Sequence, residues 1–453
     1  MNIFRSDERR LLVVFAALLL LVPAVVFAEE DGDDEEALGH GYVPEAPIYA
    51  DDILVPAQGD STQASAIPGA IPSIVEPPAG VLPVPRPRAG ARESFPWVPS
   101  DDALPQVTAH SAILMEAKTG AVIYQRDADA RRYPASTTKI ITLLTALEDG
   151  HCTMNDGVVV SPAAADTEGS SMWLEAGERL RLEDLLYGLM LVSGNDASVA
   201  IAEHVAGSVP AFAARMTDKA KSIGASHTHF TNACGLPDTD HYTTARDLAR
   251  ITAYAYRNES FKRIVSTKER RAPMMTPPFY RELENENMLL WIYPGANGVK
   301  TGYTEAAGRC VVTAAERDGV QLISVVLDAP YMWEDSIAML DYGFRQTEAR
   351  EVVKKGEKLA LVAVRGGVQG KVALVAGETL RLPALRGAAD YQRKLRVPEA
   401  VEAPVKKGAA LGSAVYYNDG TEIARVELVA AEDIRQDESF LSRLAAFLRG
   451  LFR

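Results

Sequence analysis

Apolar positions change their spacing along the chain, and the changes mark out its parts. Ala112–Met115 and Ala121–Tyr124 are two short apolar runs joined by a Gly-containing turn, the signature of a β-hairpin. Ile140, Leu143, Leu144 and Leu147 follow at i, i+3, i+4 and i+7, one face of a helix that begins at Ser136. Leu182, Leu185, Leu186 and Leu189 repeat that spacing up to a break at Gly194. A further helix is predicted from about Asp196 to Val205. Beyond Pro294 the pattern turns strand-like in GVKTGYT, CVVTAA and QLISVVL, the last two joined by a hairpin at ERDG. Strands at both ends with helices between them predict one α/β domain whose sheet is closed by distant parts of the chain. From about Arg350 short strands dominate, with a tight-turn signal at Asn418-Asp419-Gly420. VKKGE at Val353 is echoed by VKKGA at Val405, so a small β domain with weak internal symmetry is expected.

The two ends of the chain read differently. Residues 1–28 carry Arg5, Arg9 and Arg10 ahead of an uncharged apolar stretch that closes on Val26-Phe27-Ala28, the layout of an export signal. Pro23 and the acidic run after Ala28 favour cleavage; the stretch is also close to the length of an uncleaved anchor. Residues 29–105 begin with EEDGDDEE and continue proline-rich, which suits an extended tether and not a core. In 433–453, Phe440, Leu441, Leu444, Phe447, Leu448, Leu451 and Phe452 share a face that Arg443, Arg449 and Arg453 avoid. At ~20 Å such a helix is too short to cross a bilayer and suits a membrane surface, with packing on protein as the alternative.

Composition narrows the function classes. The chain has 453 residues, 47% hydrophobic and 24% charged, enough for two or three domains with real cores. A net charge of −14 argues against a nucleic-acid partner. Three cysteines, Cys152, Cys234 and Cys310, make no disulfide framework and no C-x-x-C, and all three are expected as buried small hydrophobes. His227 and His229 in SHTHF fit alternation on a strand better than a metal pair, for lack of a third ligand. Neither a metal nor another cofactor is expected.

Three short motifs remain. Ser136-x-x-Lys139 opens the first predicted helix. Ser136 there is either a helix cap or a nucleophile with its base at i+3, on the same face. As a base, Lys139 has to be neutral, which requires burial and a nearby second cation. Ser193-Gly194-Asn195 lies in the break between two helices, where it forms either a plain turn or a proton relay (Ser193) and a hydrogen-bonding amide (Asn195). Lys300-Thr301-Gly302 begins a strand, where Lys300 and Thr301 can grip a carboxylate and Gly302 lets a substrate backbone lie close. The same letters at Lys118-Thr119-Gly120 fall at a hairpin tip and read as a turn.

In the order S-x-x-K, S-x-N, K-T-G, with the flanking SAILMEAKTGAVIYQRDAD, PASTTKIITLLTALE, FTNACGLPD and GVKTGYTEAAGRC, the chain resembles the D-alanyl-D-alanine carboxypeptidases. These are the low-molecular-mass penicillin-binding proteins of serine peptidase family S11, and the likeness runs from about Val107 to Gly343. It implies a β-lactamase/transpeptidase-like domain at 106–348, an antiparallel sheet flanked by helices with a helical lobe. A small all-β domain at 349–432 and the amphipathic helix then follow. It also implies the roles. Ser136 attacks the D-Ala-D-Ala amide and Lys139 takes its proton. Ser193 returns a proton to the departing D-Ala, and Lys300 and Thr301 hold its carboxylate. The N–H groups of Ser136 and Tyr303 form the oxyanion hole. Implied partners are peptidoglycan stem peptides, β-lactams as acylating inhibitors and a membrane surface, on the outer side of the cytoplasmic membrane. A D,D-endopeptidase and a β-lactamase are the neighbouring readings. A class A β-lactamase normally has S-D-N and a separate glutamate for deacylation. A non-catalytic wall-binding protein is the reading from another class.

Overall fold

The computed structural model describes residues 103–437, apart from 275–278 and 419, together with 439 and 447. The predicted export signal (1–28), nearly all of the tether (29–105) and most of the terminal helix (433–453) therefore lie outside the described residues. Among the described residues no single helix is long and apolar enough to cross a membrane.

Five antiparallel strands form the main sheet: β1 (Ser111–Glu116), β2 (Val122–Arg126), β3 (Ala296–Thr304), β4 (Gly308–Arg317) and β5 (Val320–Leu327). Their spatial order is β2-β1-β5-β4-β3, so the sheet's first hairpin pairs with the sheet's last strand across the inserted helices. The whole of β1 is buried because both faces of the sheet are covered. Ile113, Met115, Ile323 and Val325 point into one core, while Ala112, Leu114, Leu322 and Val326 point into the other. Alternation along each strand supplies both. The β4–β5 turn places Asp318 at φ 51° and Gly319 at φ 81°, which suits a two-residue hairpin.

Helices α1 (Lys139–Leu147), α2 (Leu182–Leu191), α3 (Asn195–Ala206) and α4 (Ala245–Ala255) fill the first core, and α5 (Met332–Gln346) covers the second. Helix α1 departs from the predicted one-sided amphipathic helix, since every residue from Lys139 to Ala146 is buried. Besides Lys139, its remaining positions are Ile141, Thr142, Thr145 and Ala146, short or apolar side chains that tolerate enclosure. Thr142 Oγ1 donates to the Ala233 carbonyl at 2.7 Å and so meets its own polar need.

The C-terminal β region has its own core, including Val362, Val372, Leu374, Ala414, Val426 and Leu428. A six-stranded sheet there orders Gln392–Arg396, Ala410–Asn418, Thr421–Ala430, Lys371–Ala376, Lys358–Arg365 and Ala400–Glu402. The VKKG echo is repeated in space. Val353 and Val405 are both buried, and Gly356 and Gly408 both sit at φ 83°. Gly356 N–H donates to Ala376 O (2.8 Å) and Gly408 N–H to Ala430 O (2.9 Å).

Candidate active site

The S-x-x-K segment begins one turn tighter than an α-helix. Ala135–Thr138 is a 3-10 turn that runs directly into α1. With three residues per turn, i and i+3 stack closely, so Lys139 reaches back over Ser136. Lys139 Nζ donates to Ser136 Oγ at 2.9 Å, to Asn195 Oδ1 at 2.6 Å and to the Cys234 carbonyl at 3.0 Å. The ammonium would thus be held by three oxygens, none of them a carboxylate, in a fully buried position. Burial is the main force lowering its pKa, and the nearby Lys300 charge adds to it. The result is about 7, against partial opposition from Cys234, Glu286 and Asp196. The two demands stated for a lysine base, burial and a second cation, are both met by neighbouring residues.

The turn is strained and braced. Ala135 adopts φ 46°, unusual for a residue with a side chain. Gly235 packs against it so closely that a Cβ there would stand 1.8 Å from the Ala135 oxygen. Gly235 is positioned by Asn232, whose Oδ1 accepts from Gly235 N–H at 2.7 Å. His241 accepts from Thr231 N–H at Nδ1 (3.1 Å), which leaves its Nε2–H to donate to Thr138 Oγ1 (2.8 Å). Burial lowers the His241 pKa to about 4, so the ring is a neutral brace.

Strand β3 brings the third motif to this turn. A Cβ on Gly302 would lie 2.9 Å from Ser136 N and 3.0 Å from Thr137 N. The glycine is therefore needed for the strand itself to close on the Ala135–Thr138 turn. Lys300 is buried, its pKa lowered by that burial against the pull of Glu286, and its Nζ donates to Thr301 Oγ1 at 3.3 Å. Tyr303 is exposed at the rim. The copy at Lys118-Thr119-Gly120 is a hairpin tip folded over Glu116, whose carboxylate accepts from Lys118 N–H and Thr119 N–H.

Ser193 lies between α2 and α3 at φ 60°, buried, and its hydroxyl makes no hydrogen bond among the described residues. Asn195 is the working partner of Lys139 in this segment. Its Nδ2 donates to the Glu168 carbonyl at 2.7 Å, so the amide ties the lysine to the 168–171 loop. Three participants carry no sequence signal of their own: the Cys234 carbonyl, which any residue type would supply; Asp196, which accepts from Met172 N–H and Leu174 N–H at 3.1 and 3.0 Å; and Glu286 beside Thr301.

The cysteine and histidine expectations need adjustment. All three cysteines are free, and Cys234 and Cys310 are buried, but Cys152 is half-exposed. His227 and His229 do not lie on a strand; His229 joins Tyr242 through one isolated bridge and contacts Asp240 O at Nδ1. Away from the cleft, ligand-type atoms of Cys152, Asp156 and His204 lie within 4.8 Å of one another. Asp156 is already held there by Thr153 through both carboxylate oxygens.

Hydroxyl and buried amine from one segment thus meet Asn195 and a second lysine from two others, and residues 99–331, over half of the chain, match the D-alanyl-D-alanine carboxypeptidase family. The chain belongs to this family. Residues 348–436 match the C-terminal domain of penicillin-binding protein 5. The D-alanyl-D-alanine carboxypeptidase DacF of Bacillus subtilis is 38% identical over 272 residues, 59% of this chain and 70% of that one. DacA of Escherichia coli is 34% identical over 285 residues, 60% of this chain and 69% of that one. Among solved structures, penicillin-binding protein 5 from Haemophilus influenzae superposes with a TM-score of 0.54 at 31% identity, covering 74% of this chain and 99% of its own. The Streptomyces K15 DD-transpeptidase gives 0.51 at 34%, covering 53% and 99%. The carboxypeptidase is accordingly a serine-type hydrolase with a β-lactamase-like catalytic fold and an all-β region behind it.

Proposed function

We propose that this carboxypeptidase removes the terminal D-Ala from peptidoglycan stem pentapeptides through an acyl-enzyme on Ser136. The observation that carries the assignment is the Ser136 Oγ–Lys139 Nζ contact of 2.9 Å, made by a lysine whose pKa has fallen to about 7. Neutral Lys139 accepts the hydroxyl proton as Oγ bonds to the carbonyl carbon of the penultimate D-Ala. Negative charge develops on that carbonyl oxygen, and the N–H groups of Ser136 and Tyr303 stabilise it. The C–N bond then breaks, and the proton held by Lys139 passes through Ser193 to the departing amine. Water attacks the resulting ester and gives a proton to Lys139, which passes it to Ser136 Oγ as the C–Oγ bond breaks, leaving a free serine and a peptide one residue shorter. Lys300 and Thr301 hold the leaving group's carboxylate. β-Lactams acylate the same serine.

On this reading the carboxypeptidase acts outside the cytoplasm, at the outer face of the cytoplasmic membrane. The cationic n-region and apolar stretch of residues 1–28 support export, and the amphipathic pattern of 433–453 supports attachment to a membrane surface. A D-Ala release assay on an acyl-D-Ala-D-Ala peptide tests the reading. The native chain is expected to release D-Ala and Ser136→Ala to release none above background. Equal release by both removes Ser136 from the reaction.

A further inference from the structure

The seat assigned to the substrate's carboxylate already holds a carboxylate. Glu286 Oε2 accepts from Thr301 Oγ1 at 3.0 Å and lies 3.5 Å from Lys300 Nζ. These are the two groups to which the proposed reaction assigns the terminal carboxylate of D-Ala-D-Ala. Glu286 is positioned by its backbone. Asn285 and Asn287 on either side are buried, and Asn285 Oδ1 accepts from Asn287 N–H at 2.9 Å while its Nδ2 donates to Thr267 O at 2.9 Å. Glu286 N–H donates to the Leu191 carbonyl at 3.1 Å. Between two fixed asparagines, the Glu286 side chain is the accessible one, 36% exposed, and it turns toward β3.

We infer that Glu286 is a specificity-determining residue, which competes for Lys300 and Thr301 and so disfavours a carboxylate-terminated leaving group relative to one with a neutral terminus. The inference rests on the carboxypeptidase reading above. A substrate carboxylate has to displace Glu286 or share Lys300 with it, and two like charges within one seat repel. A C-terminal amide offers a carbonyl to Thr301 and Lys300 and an N–H to Glu286, so it meets no such opposition.

Steady-state kinetics of the full chain on an acyl-D-Ala-D-Ala peptide and on its C-terminal amide test this. For Glu286→Gln, which keeps shape and can still accept from Thr301, KM for the acid is expected to fall about tenfold, the effect of losing one like-charge contact. KM for the amide should move less than twofold, so the acid-to-amide ratio of KM is the readout, and any change in kcat through Lys139 should be shared by both substrates. A merely structural loss would move acid and amide together, and that outcome, or an unmoved acid KM, overturns the inference. The two readings fail differently. Turnover and penicillin labelling of the native chain with unchanged acid-to-amide selectivity in the variant sinks this inference alone. Absence of any turnover or label on the native chain sinks both.

Discussion

Gly302→Ala isolates the closeness of β3 to the Ala135–Thr138 turn. The added methyl would meet Ser136 N at 2.9 Å, Thr137 N at 3.0 Å and Ala135 Cβ at 3.2 Å, each short of ordinary contact, by up to about 0.5 Å. Two of the three atoms are backbone, and the turn that holds them is braced from the other side by Gly235. Neither side has a flexible end that can swing away. Overpacking of this kind costs about 1–3 kcal/mol of stability. The larger effect falls on chemistry. Ser136 and Lys139 share that turn, and a displacement of a few tenths of an ångström there moves the hydroxyl relative to its base and to the proposed oxyanion donors. We expect acylation by a fluorescent penicillin to slow by about 100-fold, with a cooperative melt retained. Stopped-flow or quenched labelling beside a thermal melt measures both. A folded variant that acylates within threefold of the native rate would refute the reasoning that Gly302 is there for the turn.

Two further outcomes follow from contacts elsewhere. Arg281 makes a two-pronged pair with fully buried Glu178 at 2.7 Å on each arm and donates to the Met172 and Trp173 carbonyls. Arg281→Met strands that carboxylate and should lower stability by about 3–5 kcal/mol in denaturant unfolding; a loss under 1 kcal/mol would contradict the pairing. Gly408→Ala meets no atom within 4 Å but has to keep φ 83°, so the β region should lose about 1 kcal/mol with penicillin acylation unchanged. An altered acylation rate would mean that this turn is coupled to the cleft.

Much of this was legible because the informative patterns are local. The short apolar runs at Ala112–Met115 and in QLISVVL, the 3.6-period runs at Ile140 and Leu182, and the Asp318-Gly319 turn each depend on near neighbours in the chain. The motif order identified the three segments that meet. What could not be read were the effects of long-range packing. Enclosure of α1 on every side arises from helices inserted much later in the chain. The Cys234 carbonyl that holds Lys139 leaves no trace in residue type, because every residue has one. Glu286 sits in LENEN, which reads as an ordinary acidic stretch until β3 is placed beside it. Gly302 was legible as a close approach, but the partner is the protein's own turn.

The central claim is that Lys139 is uncharged when Ser136 attacks, and the pH dependence of single-turnover acylation tests it most directly. Burial, aided by Lys300, has brought the Lys139 pKa down to about 7. Below that value the amine is protonated and cannot accept the hydroxyl proton; above it the base is available. Acylation of Ser136 is therefore predicted to rise through a limb centred near pH 7. A rate that stays flat from about pH 5 to 9, or that rises only as an ordinary lysine deprotonates near 10.4, would contradict the account.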